Sequence, residues 1–146
     1  MFLRRLRSFA GLTSGDRALT LRAILWLGAL RVALPRVPLQ RLRSWIDARK
    51  VPRAARPITA REIRRAMSRA ERTLPGASCL ARSLAAELLL RRAGLATRLS
   101  IGVADATWTE VSLDAHAWIE SDGLVIAGDD AELSRYKVLL TFSSPA

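Results

Sequence analysis

One cysteine and one histidine, Cys79 and His116, are the side chains of this 146-residue sequence best suited to nucleophilic chemistry. Cys79 stands in "PGASCLARSLAAELLLRRAG", immediately after Ser78, a residue type that caps helices. A thiol in the first helical turn meets unpaired backbone N–H groups and the positive end of the helix dipole. Both favour the thiolate, which is the nucleophile. The same N–H groups can receive the negative oxygen of a tetrahedral intermediate. The plainer alternative is a cysteine used as a small core residue. His116, in "DAHAWIESDG", supplies an imidazole, the natural choice of base for a cysteine nucleophile.

A third group should orient the imidazole through the ring nitrogen that does not face sulfur. Asp122-Gly123 is a hairpin signal, so the strand after it returns past His116 near Gly128, Asp129 and Asp130. Asp129 is the first choice and Asp130 the second; their alternative role is a solvated turn or cap before "AELSRY". Asp114 is too close to His116 for its side chain to reach round the pleat. Trp118 falls two residues after the histidine, on the same strand face, as core packing or as a wall shielding the thiolate–imidazole pair and lining a substrate groove. Arg82 follows Cys79 by one turn and could pair with Glu87 or Glu120, or raise the positive potential at the sulfur. No metal or cofactor is expected.

The elements that must hold these residues divide at about residue 74. Residues 1–73 read as helical and arginine-rich. "TSGDRALTLRAILWLGALRVAL" is an amphipathic helix capped by Thr13 or Ser14 and ended by Pro35 and Pro38. "LQRLRSWIDARK" is a short one with Leu39, Leu42, Trp45 and Ile46 on one face, and "VPRAARP" is a linker. In "TAREIRRAMSRAERTL", Thr59 and Glu62 form a capping box ahead of Ile63, Ala66, Met67 and Ala70. Residues 74–146 hold the cysteine helix, stopped by Gly94, and then strands: "TRLSIGVA", "AHAWIES", "LVIAG" and "YKVLLTF". The expectation is an α+β fold in which the cysteine helix packs on a small antiparallel sheet, preceded by an all-helical region.

Composition narrows the function classes. The net charge is +11, with 18 Lys or Arg against 4 acids in residues 1–76 and 6 against 9 in residues 77–146. A basic front suits an acidic partner, or simply solvates helix faces. Few of the aromatics fall between the basic residues and no nucleic-acid motif occurs, so nucleic acid is not the expected partner. A single cysteine excludes an internal disulfide, and the start "MFLRRLRSFAG" lacks a signal-peptide pattern, so a cytoplasmic setting is expected. The longest apolar run, "AILWLGAL", is shorter than the roughly 20 residues needed to span a bilayer, although a surface-lying helix over residues 14–34 leaves peripheral membrane contact open.

The runs Cys79-Leu80-x-Arg82-Ser83-Leu84 and Ala115-His116-Ala117-Trp118-x-Glu120, followed by Tyr136, resemble the transglutaminase-like cysteine peptidases of lasso-peptide biosynthesis, the B-protein leader peptidases. The resemblance covers about residues 74–141. It implies a transglutaminase-like, papain-like core with Cys79 as nucleophile and His116 as base. It implies removal of the leader from a ribosomally made lasso precursor peptide, so that an asparagine-synthetase-like cyclase can close a macrolactam ring. No strand-rich module precedes the core, so a separate leader-recognition protein is expected as a partner. The family's third residue is an aspartate about twelve positions after the histidine; here Gly128 stands at that distance and Asp129 one place later. A one-residue slip reverses a strand side chain. Either a bulge returns Asp129 to the site, or Asp130, a backbone carbonyl or water takes the role. The competing functions are acyl transfer to an amine, and a non-catalytic scaffold that bridges precursor and cyclase.

Overall fold

The computed structural model describes residues 12–48, 52–104, 114–128 and 133–146. Four helices are followed by a four-stranded sheet. The helices are α1 (Ser14–Ala33), α2 (Leu39–Ala48), α3 (Ala60–Thr73) and α4 (Cys79–Ala93). The strands are β1 (Thr97–Ala104), β2 (Ala115–Ser121), β3 (Leu124–Ala127) and β4 (Tyr136–Ser144), the last preceded by a short 3-10 turn, Leu133–Arg135. This is the expected α+β architecture.

Local chemistry sets the helix limits. The Thr13 side chain accepts from the Asp16 N–H at the start of α1. Thr59 and Glu62 form both arms of a capping box on α3. Ser78 caps α4 by accepting from the Ala81 N–H, and Gly94 ends it in the left-handed conformation. The amphipathic face of α3 is buried as expected, through Ile63, Ala66, Met67 and Ala70. In α2 the buried face is turned: Leu42 and Ile46 are inside, Arg43 joins them, and Trp45 lies outside with its ring 6.2 Å from that of Trp26.

α4 is the hub of the core, with every residue from Ser83 to Leu90 buried. A helix apolar on all sides belongs in the middle of a fold. One apolar cluster joins Leu19, Ala23 and Leu27 of α1, Ile63 and Met67 of α3, Leu84, Leu88 and Leu89 of α4, and Leu99 and Ile119 of the sheet. Residues on both sides of position 74 therefore share this core. No helix among the described residues is long and apolar enough to cross a membrane.

The sheet runs β3-β2-β1-β4, with every neighbouring pair antiparallel. Its register shifts twice, between Ile119 and Glu120 on the β3 side of β2, and between Ile101 and Gly102 on the β4 side of β1. Such bulges bend a strand and re-aim its side chains. Both flank the strand segment that carries His116.

Candidate active site

Cys79 is the first residue of α4 and is half-buried. Ser78 engages the Ala81 N–H at 3.2 Å, and Arg82 N–H begins the helical ladder on the Ser78 carbonyl. The Cys79 and Leu80 N–H groups are thus left over at the helix start, beside the sulfur, as first-turn donors are. One turn further on, the fully buried Ser83 donates from Oγ to the Ala117 carbonyl at 3.1 Å. This bond pins the opening turns of α4 to β2 at the residue next to His116. By helix geometry Cys79 and Ser83 share a face, about 6 Å apart along the axis.

The imidazole is held by a backbone group. His116 Nε2 lies 2.9 Å from the Gly128 carbonyl oxygen. A carbonyl only accepts, so Nε2 carries the hydrogen and donates, which leaves the lone pair of the neutral ring on Nδ1. Of the options open for the orienting group, a backbone carbonyl occupies the position. The bulge at Ile119/Glu120 places Gly128 there. Gly128 has φ +75°, and a Cβ on it would run into the Ala117 carbonyl oxygen and the Trp118 backbone. Only glycine brings its carbonyl this close in that conformation. Asp129 and Asp130 lie outside the described residues.

Two rings frame the histidine. Trp118 stacks against it with centroids 6.2 Å apart, in keeping with their shared strand face, and is itself buried. Tyr136 lies closer, at 5.0 Å and 26° to the imidazole plane, an offset stack. Tyr136 reaches His116 from the far side of β1 because Gly102, the β1 residue opposite His116, has no side chain. A Cβ at Gly102 would stand 2.9 Å from the Lys137 carbonyl oxygen and 3.1 Å from Tyr136 Cβ. Arg135 covers the outer face of the Tyr136 ring at 4.8 Å and pairs with Asp114 at 2.9 Å. Asp114, set aside as an imidazole partner, braces the tyrosine instead: the Tyr136 hydroxyl also lies 3.5 Å from its carboxylate. Sequence reasoning put Gly128 near the histidine and kept a backbone carbonyl as one option, but it missed Tyr136 as a neighbour of the ring. The twelve-residue spacing from His116 to Gly128 was the available signal, but it pointed to a side chain where a carbonyl stands.

Arg82 requires a correction. Its carboxylate neighbour is neither Glu87 nor Glu120 but Glu71 of α3, 3.8 Å away. Burial pushes the Glu71 carboxyl up, against the pull of Arg82 and Arg72. Glu87 is fully buried and held in a bidentate pair by Arg43 of α2, at 2.6 and 2.7 Å. Burial opposes the Arg43 charge, but hydrogen bonds to Glu87 and Asp47 outweigh it and raise its pKa. This pair clamps α2 to the middle of α4. Among the described residues no hydrogen bond joins Cys79 Sγ to the His116 ring.

The structure places a helix-start thiol with leftover N–H donors on α4 and an imidazole whose tautomer is set by a carbonyl on β2, two elements tied by the Ser83–Ala117 bond. Such a set can form and resolve a thioester. No curated protein and no solved structure gives a significant match to the chain. The model of one family, described as the transglutaminase-like superfamily, matches residues 24–141. That span takes in the second half of α1 as well as the whole Cys79–His116 region, and the chain belongs to the transglutaminase-like superfamily.

Proposed function

We propose that this protein is a cysteine peptidase that removes the leader segment from a lasso-peptide precursor. The observation that carries the catalytic part is the hydrogen bond from His116 Nε2 to the Gly128 carbonyl, on the strand to which the Cys79 helix is pinned. It leaves Nδ1 as the basic nitrogen. His116 takes the Cys79 proton, and the thiolate attacks the carbonyl at the leader–core junction. The N–H groups of Cys79 and Leu80 stabilise the oxyanion. The imidazolium protonates the leaving amine of the core peptide, and water then releases the leader as a free acid. Contacts of this kind are often long in the free enzyme and tighten when substrate binds. Trp118 and Arg82 would contact or electrostatically steer the substrate. The lasso assignment rests on the combined "CLARSL" and "AHAWIE" runs. It brings in a separate leader-recognition protein and an asparagine-synthetase-like cyclase as partners.

The test is mass spectrometry of a candidate lasso precursor peptide that carries its leader, incubated with the protein and a candidate leader-recognition partner. A single cut at the leader–core junction that disappears in Cys79→Ala and falls steeply in His116→Ala is the expected result. An intact precursor, with both proteins folded, would refute the peptidase and favour the scaffold. A product joined to an added amine in place of the free acid would identify acyl transfer. Asp129→Ala and Asp130→Ala in the same assay report whether either carboxylate contributes beyond the Gly128 carbonyl.

A further inference from the structure

The first helix is apolar on two opposite faces. Leu19, Ala23, Leu27 and Leu30 of α1 are buried, as the core-facing stripe of a surface helix should be. On the opposite face Leu21 is 55 %, Leu25 70 % and Val32 58 % exposed. At 3.6 residues per turn these three share one stripe, which runs roughly 16 Å along the helix. The outer face of such a helix is ordinarily polar. Trp45 of α2, 43 % exposed, extends this apolar surface through its ring contact with Trp26.

The charge around this stripe is of one sign. Leu25, Trp26 and Ala29 line a cavity of about 480 Å³ together with Leu88 of α4, and Arg22 of α1 and Arg92 of α4 stand in the same lining. Neither arginine has an ion-pair or hydrogen-bond partner among the described residues, and the Arg92 Nε is buried with its N–H unmet. By helix geometry Arg17 and Arg22 border the stripe on its two sides. Asp16 is the one acid of α1; it lies nine positions before Leu25, on the opposite side of the helix, and accepts from the Thr13 hydroxyl at 2.9 Å. The other acids of residues 1–76 are committed elsewhere: Asp47 to Arg43 and Arg91, Glu62 to Arg56, and Glu71 to Arg82.

We infer that the outer face of α1 lies on an anionic lipid surface, with Leu21, Leu25 and Val32 entering the boundary between headgroups and acyl chains and Arg22 and Arg92 meeting lipid phosphates. Charge complementarity carries the choice: an apolar stripe bordered by arginines and free of carboxylates is what a helix lying in an anionic interface needs. Trp45 is of the residue type favoured at that depth. α1 does not cross the bilayer, since no helix among the described residues is long and apolar enough. A second copy of the chain, with a net charge of +11, would set the same unpaired arginines against their like. A nucleic acid would answer the arginines but leave the leucine stripe in water. The inference stands independently of the peptidase reading.

Vesicle flotation with the full chain tests it, using phosphatidylcholine alone and phosphatidylcholine mixed with phosphatidylglycerol. The protein should float with the mixed vesicles, bind the neutral ones at least about tenfold more weakly, and come off the mixed ones as salt is added. Leu25→Ser, and Arg22→Gln combined with Arg92→Gln, should each weaken binding roughly tenfold while keeping the wild-type melting temperature. Arg98→Gln removes one charge from β1 and should bind like the wild type. Equal binding to both kinds of vesicle, binding to neither, or wild-type binding by Leu25→Ser would overturn the inference. So would a dimer that forms without vesicles and is lost in Leu25→Ser, since the stripe would then be a seam between copies. Protection of α1 amides in hydrogen exchange by a candidate leader-recognition protein, with none from the mixed vesicles, would assign the face to a protein and overturn it as well.

Discussion

Gly128→Ala is the most informative single substitution in this protein, because the group that orients His116 is a backbone carbonyl that no side-chain deletion can remove. The new Cβ would stand 2.8 Å from Trp118 Cα, 3.0 Å from Trp118 Cβ and closer still to the Ala117 carbonyl oxygen. These are mainly backbone atoms inside a paired strand, so the strain is relieved by moving Gly128 away from β2. Holding alanine at φ +75° costs roughly 1–2 kcal/mol by itself. With the displacement added, a loss of roughly 2–4 kcal/mol is expected. Gly123→Ala is the control: its φ is +72°, but nothing lies within 4 Å of its added Cβ. That variant should lose only the conformational cost, roughly 1–2 kcal/mol. Thermal denaturation reads both, at roughly 2–4 °C per kcal/mol for a chain of this size. The same displacement lengthens the bond from His116 Nε2 and frees the imidazole to turn. Cleavage per folded molecule should therefore fall roughly 10- to 100-fold in Gly128→Ala, about 1.4–2.7 kcal/mol in the barrier, and stay near wild type in Gly123→Ala. Equal melting temperatures for the two variants, or full activity in Gly128→Ala, would refute the assignment of Gly128 as the orienting group.

Other consequences follow from the packing around the site. Glu87→Leu should destabilise by about 3–5 kcal/mol by leaving Arg43 buried without its main partner, and the Arg43→Met/Glu87→Leu double variant should recover most of that loss in chemical denaturation. Tyr136→Ala should lower the cleavage rate about tenfold by removing the ring stacked on His116, whereas Tyr136→Phe keeps the stack and should stay close to wild type in the same assay. The Thr59 N–H, with help from the Thr59 hydroxyl and Arg56, holds the Glu62 carboxyl below its ordinary range. A carboxylate with a depressed folded-state pKa contributes stability that is present above its unfolded pKa and lost as pH falls through the folded one. Acid titration of stability should therefore be shallower in Glu62→Gln than in the wild type, with the curves converging at the acid end.

Much of this molecule is determined by short-range chemistry, and that part is legible in the chain. The Thr59–Glu62 box, the Ser78 cap and the Gly94 stop involve residues within a few positions of one another, and each appears where the residue types place it. The Asp122-Gly123 turn, with both residues at positive φ, is of the same kind. These local signals suffice to put Cys79 at a helix start and His116 on a strand. What joins them depends on register and on contacts across long separations. The Ser83–Ala117 bond spans 34 positions and the Arg43–Glu87 pair 44. No periodicity marks Arg43 as a buried residue, because its burial is tolerable only once Glu87 arrives from another helix. Two bulges decide which groups meet the imidazole: one delivers the Gly128 carbonyl, and the other lies where β4 crosses Gly102, next to the Tyr136 ring. A carbonyl belongs to every residue, so sequence can nominate an aspartate for the third position but cannot single out a main-chain oxygen. That choice is made only when the strands are in register.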